Sequence, residues 1–335
     1  MSESYYSKYL KYKKKYLILK NAEGGNPEEK HNMFYYLNQF KHRVIDLAKN
    51  SYCDPKLVSR YTIEGMFMKW YLNSLKGGYI PNDMSHVRSD FDYQWKRLTC
   101  NKSPDRIISE INGEVAKLKD KAKLFSDHYT YKPIFSDLQL QLLRKKYTGP
   151  PADFEKHRNF LSELYSFMGG FNNHMSVPPK LIADDCIELF GTPVNTKNKY
   201  CSPFPIEKQY FSSYGSFFDY ELTSGFHIAN PPFDEEIMLR MANRLINQLS
   251  KQSNIDIVII IPKWKDLEAY NVMAKSKYLI KSKVLTKASE VFFSYYDKKY
   301  APIVDCYCIQ FSNYATKFSL DEFISKWSKI KYSGV

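Results

Sequence analysis

The stretch Phe226-His227-Ile228-Ala229-Asn230-Pro231-Pro232-Phe233 decides how this chain is read. An apolar step of strand character runs into an amide and two prolines, and a long helical pattern follows. Four residues of ~5% usage each coincide by chance in roughly 2 of 1,000 chains this long, so Asn230 to Phe233 reads as a motif. A rigid polar turn between a buried strand and a helix sits at the carboxyl edge of a parallel sheet, where α/β proteins place their sites.

The chemistry that suits such a turn is methylation of a planar amine. The exocyclic N6 of adenine is a poor nucleophile because its lone pair is delocalised into the ring. Two acceptors facing its two N–H bonds, the Asn230 side-chain oxygen and the Pro231 carbonyl, draw the nitrogen toward a pyramidal shape. Proline fixes φ and lacks an N–H, so the turn is stiff and does not satisfy its own carbonyl. Phe233 offers a ring for the base to stack on. Such catalysis works through positioning and oriented dipoles and needs no acid or base of shifted pKa.

Downstream, Ile237, Met241, Leu245 and Leu249 recur on one helical face, and Glu235 and Glu236 fall in the first turn, where negative charge suits the helix dipole. Residues 255–261 form a nearly continuous apolar run, the mark of a strand buried on both faces. Pro262-Lys263-Trp264-Lys265 closes that run, and residues 303–311 read as a later strand. Upstream, residues 178–184 predict a short helix. Residues 186–190 predict a strand, followed by the turn Gly191-Thr192-Pro193-Val194-Asn195. This alternation, from about residue 176, predicts an α/β fold with a mostly parallel sheet and helices on both faces.

Before it, residues 30–175 read as helices. Met33, Leu37, Phe40, Val44 and Leu47 form one stripe, and Ile108, Ile111, Val115, Leu118, Ala122 and Phe125 form another. Further helices are predicted over 57–75, 138–147 and 154–168, with Gly149-Pro150-Pro151 and Gly169-Gly170 ending the last two. The expected organisation is a basic tail and linker over 1–29, an all-helical domain over 30–175, an α/β domain over 176–316, and a terminal helix or tail over 317–335.

The length of 335 residues suits one large or two modest domains. A net charge of +13 favours a polyanionic partner, RNA or DNA first. The 28 tyrosines and 22 phenylalanines suit base stacking as well as an ordinary core. No apolar run approaches the ~20 residues of a membrane span, and no signal-peptide pattern opens the chain. Cys53, Cys100, Cys186, Cys201, Cys306 and Cys308 are scattered, and Cys306-x-Cys308 has no second pair at zinc-ligand spacing. The expectation is no metal, and reduced thiols in an intracellular, reducing compartment.

Further motifs accompany the turn. Tyr200-Cys201-Ser202-Pro203-Phe204-Pro205, Tyr210-Phe211, Ser224-Gly225, Ala229-Asn230-Pro231-Pro232-Phe233 and Ile259-Ile260-Ile261-Pro262-Lys263-Trp264 follow one another in a single order. In this the chain resembles the phosphorylated CTD-interacting factor 1 family, the cap-specific adenosine N6-methyltransferases, over residues 140–312. The resemblance implies a Rossmann-like methyltransferase domain behind a helical one, with S-adenosylmethionine as donor. It implies methylation at N6 of the 2′-O-methyladenosine beside the 7-methylguanosine cap of mRNA. On matched positions it gives Asn230, Pro231, Pro232 and Phe233 the catalytic and base-holding role. It places the first cofactor loop at Phe190-Gly191-Thr192-Pro193-Val194-Asn195 and matches Asp219 to a family Leu-Asp-Phe step.

The chain also departs from the family. Ile206 and Lys208 stand where the family has aspartates, leaving Glu207 as the nearby carboxylate. Ile228 replaces an acidic residue before the motif, and the loop around 288–301 is short. No tryptophan-rich phosphopeptide-binding segment precedes the helices, so polymerase-tail docking is not expected. Residues 6–20 resemble leaders of giant DNA virus proteins, which implies host cytoplasm or virion.

The candidate cofactor-binding set is Glu188, Phe190, Gly191, Thr192, Pro193, Asn195, Asp219 and Asn230. The candidate substrate-binding set is Phe233, Lys263, Trp264 and Lys265, with Trp264 on a base or in the core and the lysines on phosphates. Arg240 and Arg244 read as solvated. Three functions stay open: a cap-proximal RNA enzyme, an internal-RNA or DNA adenine methyltransferase, and a catalytically silent RNA-binding scaffold.

Overall fold

The computed structural model describes residues 135–167, 175–287 and 289–331. The predicted tail over 1–29 and most of the predicted helical domain over 30–175 lie outside the described residues. Those described fall into two compact units. One contains helix α2 (Phe154–Phe167) from Glu155 onward, with Arg158 bridging Glu155 at 2.6 Å. The other contains residues 135–154, including helix α1 (Asp137–Lys146), together with everything described from residue 175.

This larger unit is α/β. Its strands are β1 (Met175–Ser176), β2 (Ile187–Glu188), β3 (Lys199–Tyr200), β4 (Gly225–Ala229), β5 (Ile255–Pro262), β6 (Leu279–Leu285), β7 (Phe292–Ser294), β8 (Lys299–Ala301) and β9 (Cys306–Ser312). Its later helices are α3 (Pro205–Tyr210), α4 (Glu235–Lys251), α5 (Glu268–Ala274) and α6 (Leu320–Ser328). Six strands form one sheet in the order β3-β2-β4-β5-β9-β6. The pairs β3–β2, β2–β4 and β4–β5 are parallel. β9 runs antiparallel to both β5 and β6, so the sheet is mixed, with one reversed strand among parallel ones. A second, antiparallel sheet has the order β1-β7-β8.

The apolar run over 255–261 forms β5, and every residue of that strand is buried. Ile257, Ile259 and Ile261 join the core that contains Met241 and Leu245 of α4. Val258 and Ile260 face the opposite core, with Phe292, Cys308 and Trp327 of α6. A strand covered on both faces needs no polar alternation.

Helix α4 starts where Asp234 caps it, accepting the Ile237 N–H at 2.9 Å. Its buried face differs slightly from the predicted one. Ile237 is only half-buried, whereas Gln248 is fully covered because its Oε1 accepts the Leu222 N–H at 3.2 Å. Residues 178–184 hold only a 3₁₀ turn, Pro179–Leu181, since two prolines withhold amide donors from a longer helix. The strand expected over 303–311 begins at Cys306.

Cys186, Cys201, Cys306 and Cys308 are free and buried, and burial pushes the Cys201 thiol up to about 12. Among the described residues no cluster of acids, histidines and cysteines is arranged to hold a metal, and no helix is long and apolar enough to cross a membrane.

Trp327 is completely buried, donates Nε1–H to the Val291 carbonyl at 2.7 Å, and meets Phe292 and Phe323 edge-on. Trp327→Ala is expected to destabilise the α/β unit by about 3–5 kcal/mol, measured by urea unfolding.

Candidate active site

The order of the parallel strands fixes where a cleft opens. From β2 the chain passes to β3 on one side, then crosses to β4 on the other. The carboxyl ends of β2 and β4 therefore diverge at a switch point, where open α/β sheets bind their ligands. The two strands stay paired up to that point, with Glu188 opposite Ile228 and the Leu189 N–H on the Ile228 carbonyl at 2.8 Å. Beyond it β2 leads into Phe190 and Gly191, and β4 leads into Asn230 and Pro231. The two segments read separately from the sequence are thus neighbours across one sheet edge.

Asn230 has a divided side chain. Its Nδ2 donates to the Met175 carbonyl of β1 at 3.3 Å. A carbonyl partner requires the NH₂ end, so Oδ1 faces the other way. That oxygen is buried and has no hydrogen-bond donor among the described residues. Gln139, His227 and Asp256 also hold buried polar atoms without a partner there, but only Asn230 stands at the switch point. In the turn itself, the Pro232 carbonyl accepts the Asp234 N–H at 2.8 Å. Pro231 is buried, and nothing among the described residues donates to its carbonyl.

Phe233 is half-buried against the core that contains Ile228 and Val258. Its ring meets Trp264 edge-on, with centroids 6.4 Å apart and planes at 83°. Trp264 is 39% exposed, which decides against a core role and leaves an open indole face beside the motif. Lys263 and Lys265 are exposed, and the Lys263 N–H is held by the Asp305 carbonyl at 2.8 Å.

The loop after β2 is internally braced. Asn195 Oδ1 accepts from the Thr192 N–H at 2.7 Å and from the Thr192 hydroxyl at 2.9 Å. Thr196 donates its hydroxyl to the Thr192 carbonyl at 2.7 Å. Gly191 lies so close to Thr196 that a Cβ would sit 2.2 Å from the Thr196 methyl, so only glycine fits this path. Thr192, Pro193 and Val194 are buried, which leaves Phe190 and Asn195 as the partly open side chains of the loop. Glu188 is buried rather than open to the cleft, and its Oε1 accepts the Lys197 N–H at 2.8 Å. Burial raises its carboxyl above the ordinary range, against the opposing pull of Lys146 and Lys197.

Asp219 is exposed in a turn that reaches the same edge through its neighbours. Phe217 and Phe218 contact Phe190 at 4.9 and 6.2 Å. Arg244 of α4 donates to the carbonyls of Phe217 at 3.0 Å and Tyr220 at 2.6 Å, and Arg240 lies over the Phe218 ring at 4.2 Å. Sequence reading took both arginines as solvated. They instead fasten the Asp219 turn to the helix that follows the motif.

Sequence reading also missed Lys146, whose ammonium is buried against the loop after β2. A signal existed: Gln139, Leu143 and Lys146 share the buried face of α1, so a lysine falls in a core register.

Two outcomes test this geometry. Gly191→Ala is expected to lower the melting temperature and loosen the loop, because the added methyl overlaps Thr196. Glu188 has a raised folded-state pKa, so its favourable contribution is complete below its unfolded pKa and is lost as pH rises through the folded one. Glu188→Gln removes that titration. Its melting temperature should therefore gain on the parent's as pH rises through this window, as scanning calorimetry at several pH values would show.

A comparison with known protein families matches the part of the chain that contains this edge of the sheet. A family model described as "Phosphorylated CTD interacting factor 1 WW domain" matches residues 181–296, from just before β2 to just after β7. That description names a WW domain, so it lends no support to the expectation that polymerase-tail docking is absent. The human protein named mRNA (2'-O-methyladenosine-N(6)-)-methyltransferase is 37% identical over 81 residues. The mouse protein of the same name is 36% identical over 81 residues. Each match covers 24% of this chain and 12% of the relative. The chain is thus similar, through the strands that frame the switch point, to the phosphorylated CTD interacting factor 1 family.

Proposed function

We propose that this chain is an S-adenosylmethionine-dependent RNA adenine N6-methyltransferase acting on the 2′-O-methyladenosine next to the mRNA cap. The observation that carries the reading is the buried Asn230 Oδ1, an unsatisfied acceptor at the switch point. A buried polar atom left without a partner costs about 1–3 kcal/mol, so its retention calls for a ligand. An exocyclic amine supplies the donor that is missing. The names of the human and mouse relatives support the same substrate class.

Asn230 Oδ1 and the Pro231 carbonyl accept the two N6–H bonds and turn the nitrogen lone pair out of the purine plane. Fixed dipoles at the point of reaction need no reorganisation, which is where such groups gain their effect. Phe233 and Trp264 give aromatic surface for the base and its neighbour, and Lys263 and Lys265 give charge for the backbone phosphates. A nucleotide near a 5′ end is reached without breaking a duplex.

S-adenosylmethionine supplies an electrophilic methyl group when bound. The chain's residues fit such a donor at the carboxyl end of β2. Phe190 offers a partly open ring, the loop from Gly191 to Asn195 is held in one shape, and Asp219 lies on the adjoining turn. Glu188 acts from within, by fixing the Lys197 amide. The proton that N6 loses becomes acidic on methylation and passes to water.

Asn230→Ala should lower kcat by about 100-fold or more, while the melting temperature stays near the parental value. Full activity in this variant would refute the role. Capped and uncapped RNAs that begin with adenosine should be compared with labelled donor. Methylation is expected on the capped RNA; equal labelling of both would leave a general adenine enzyme. A chain that S-adenosylhomocysteine does not stabilise would be a scaffold. RNA affinity should fall steeply with salt.

A further inference from the structure

We propose that Lys146 is a positioning residue for the cofactor loop, its buried ammonium cross-linking Pro193 and Thr196 so that the carboxyl end of β2 keeps one shape. The inference rests on the reading above and deepens it. Lys146 comes from α1, outside the residues that match the family model and far from the loop in sequence.

The geometry accounts for all three ammonium protons. Lys146 Nζ donates to the Pro193 carbonyl at 3.3 Å, the Thr196 carbonyl at 2.5 Å and the Thr196 hydroxyl at 2.6 Å. That hydroxyl donates in turn to the Thr192 carbonyl, and the Thr192 N–H and hydroxyl donate to Asn195 Oδ1. One cation thus terminates a chain of hydrogen bonds that runs the length of the loop. A lysine carries three donors, so none is left for a ligand, and Lys146 acts through the loop rather than on the cofactor.

The surroundings suit a permanent fixture. Glu188 and Glu207 supply opposite charge, Lys145 like charge, and the Tyr200 ring lies 5.1 Å away. Burial pulls the ammonium below the ordinary lysine range, and the two carboxylates partly restore it. The same loop is closed on its other side by the Gly191–Thr196 contact. Thr196 is therefore gripped from two directions, by a methyl contact and by a charge.

The test uses the full chain and its Lys146→Met and Thr196→Val variants. Methionine keeps the length of lysine without its donors. Valine keeps the methyl group against Gly191 and removes the hydroxyl. Hydrogen exchange over residues 191–196 should accelerate in both, while α4 and β5 keep parental protection. S-adenosylhomocysteine affinity should fall about tenfold in Lys146→Met and less in Thr196→Val. KM for S-adenosylmethionine should rise with kcat within about twofold, a split that general loss of structure would not give.

Parental loop exchange and affinity in Lys146→Met would overturn the proposal. Should Lys146→Met fail to fold, Thr196→Val is judged on the same two readouts, and parental values there overturn it. A parent chain that binds no S-adenosylhomocysteine would overturn the functional reading and this role together. A parent that binds, with unaffected variants, would overturn this role alone.

Discussion

A side-chain amide has a donating end and an accepting end, and in Asn230 the donating end is already committed. The Met175 carbonyl takes it. Because that carbonyl belongs to the small antiparallel sheet, a second sheet sets the direction of a residue at the edge of the first. The consequence is an oxygen turned inward without a donor. Two prolines hold the backbone beside it, and the Asp234 cap starts α4 directly behind. The turn therefore has little freedom to rotate its acceptors toward solvent, and the whole site follows from that constraint.

The opposite wall is built by different means. The turn after β4 owes its stiffness to proline rings. The loop after β2 owes its stiffness to a glycine that admits the Thr196 methyl and to a chain of hydrogen bonds ending on Lys146. Polar groups of this kind are worth burying only when nearly every donor and acceptor is satisfied. The loop meets that condition: the threonine hydroxyls, the Asn195 oxygen and the lysine protons all have partners. A third segment, around Asp219, is drawn in by Arg244 through main-chain carbonyls, with Phe217 and Phe218 against Phe190.

Several of these features were legible in the sequence because they depend on neighbours along the chain. The apolar run of β5, the acidic first turn of α4 and the Asn-Pro-Pro-Phe corner are local patterns, and each element appears close to where it was expected. The 3₁₀ turn at Pro179–Leu181 was mistaken for a helix because periodicity does not count missing amide donors. The sequence gives Arg240 and Arg244 no local partner, because the aromatic ring and two carbonyls they meet lie in a turn more than twenty residues upstream. Trp264 had two readings of equal weight, and only its exposure separated them.

By itself the sequence determined the alternation of strands and helices, the stiff polar turn and the kinship of its motifs, since these are written in short stretches of chain. Tertiary structure alone decided that the Gly191 loop and the Asn230 turn share one edge, that Met175 orients the amide, and that Lys146 reaches the loop from α1. The physical reason is range. Torsional preference and hydrophobic period act over a few residues, whereas a buried hydrogen bond joins groups that only the packed sheet brings within 3 Å.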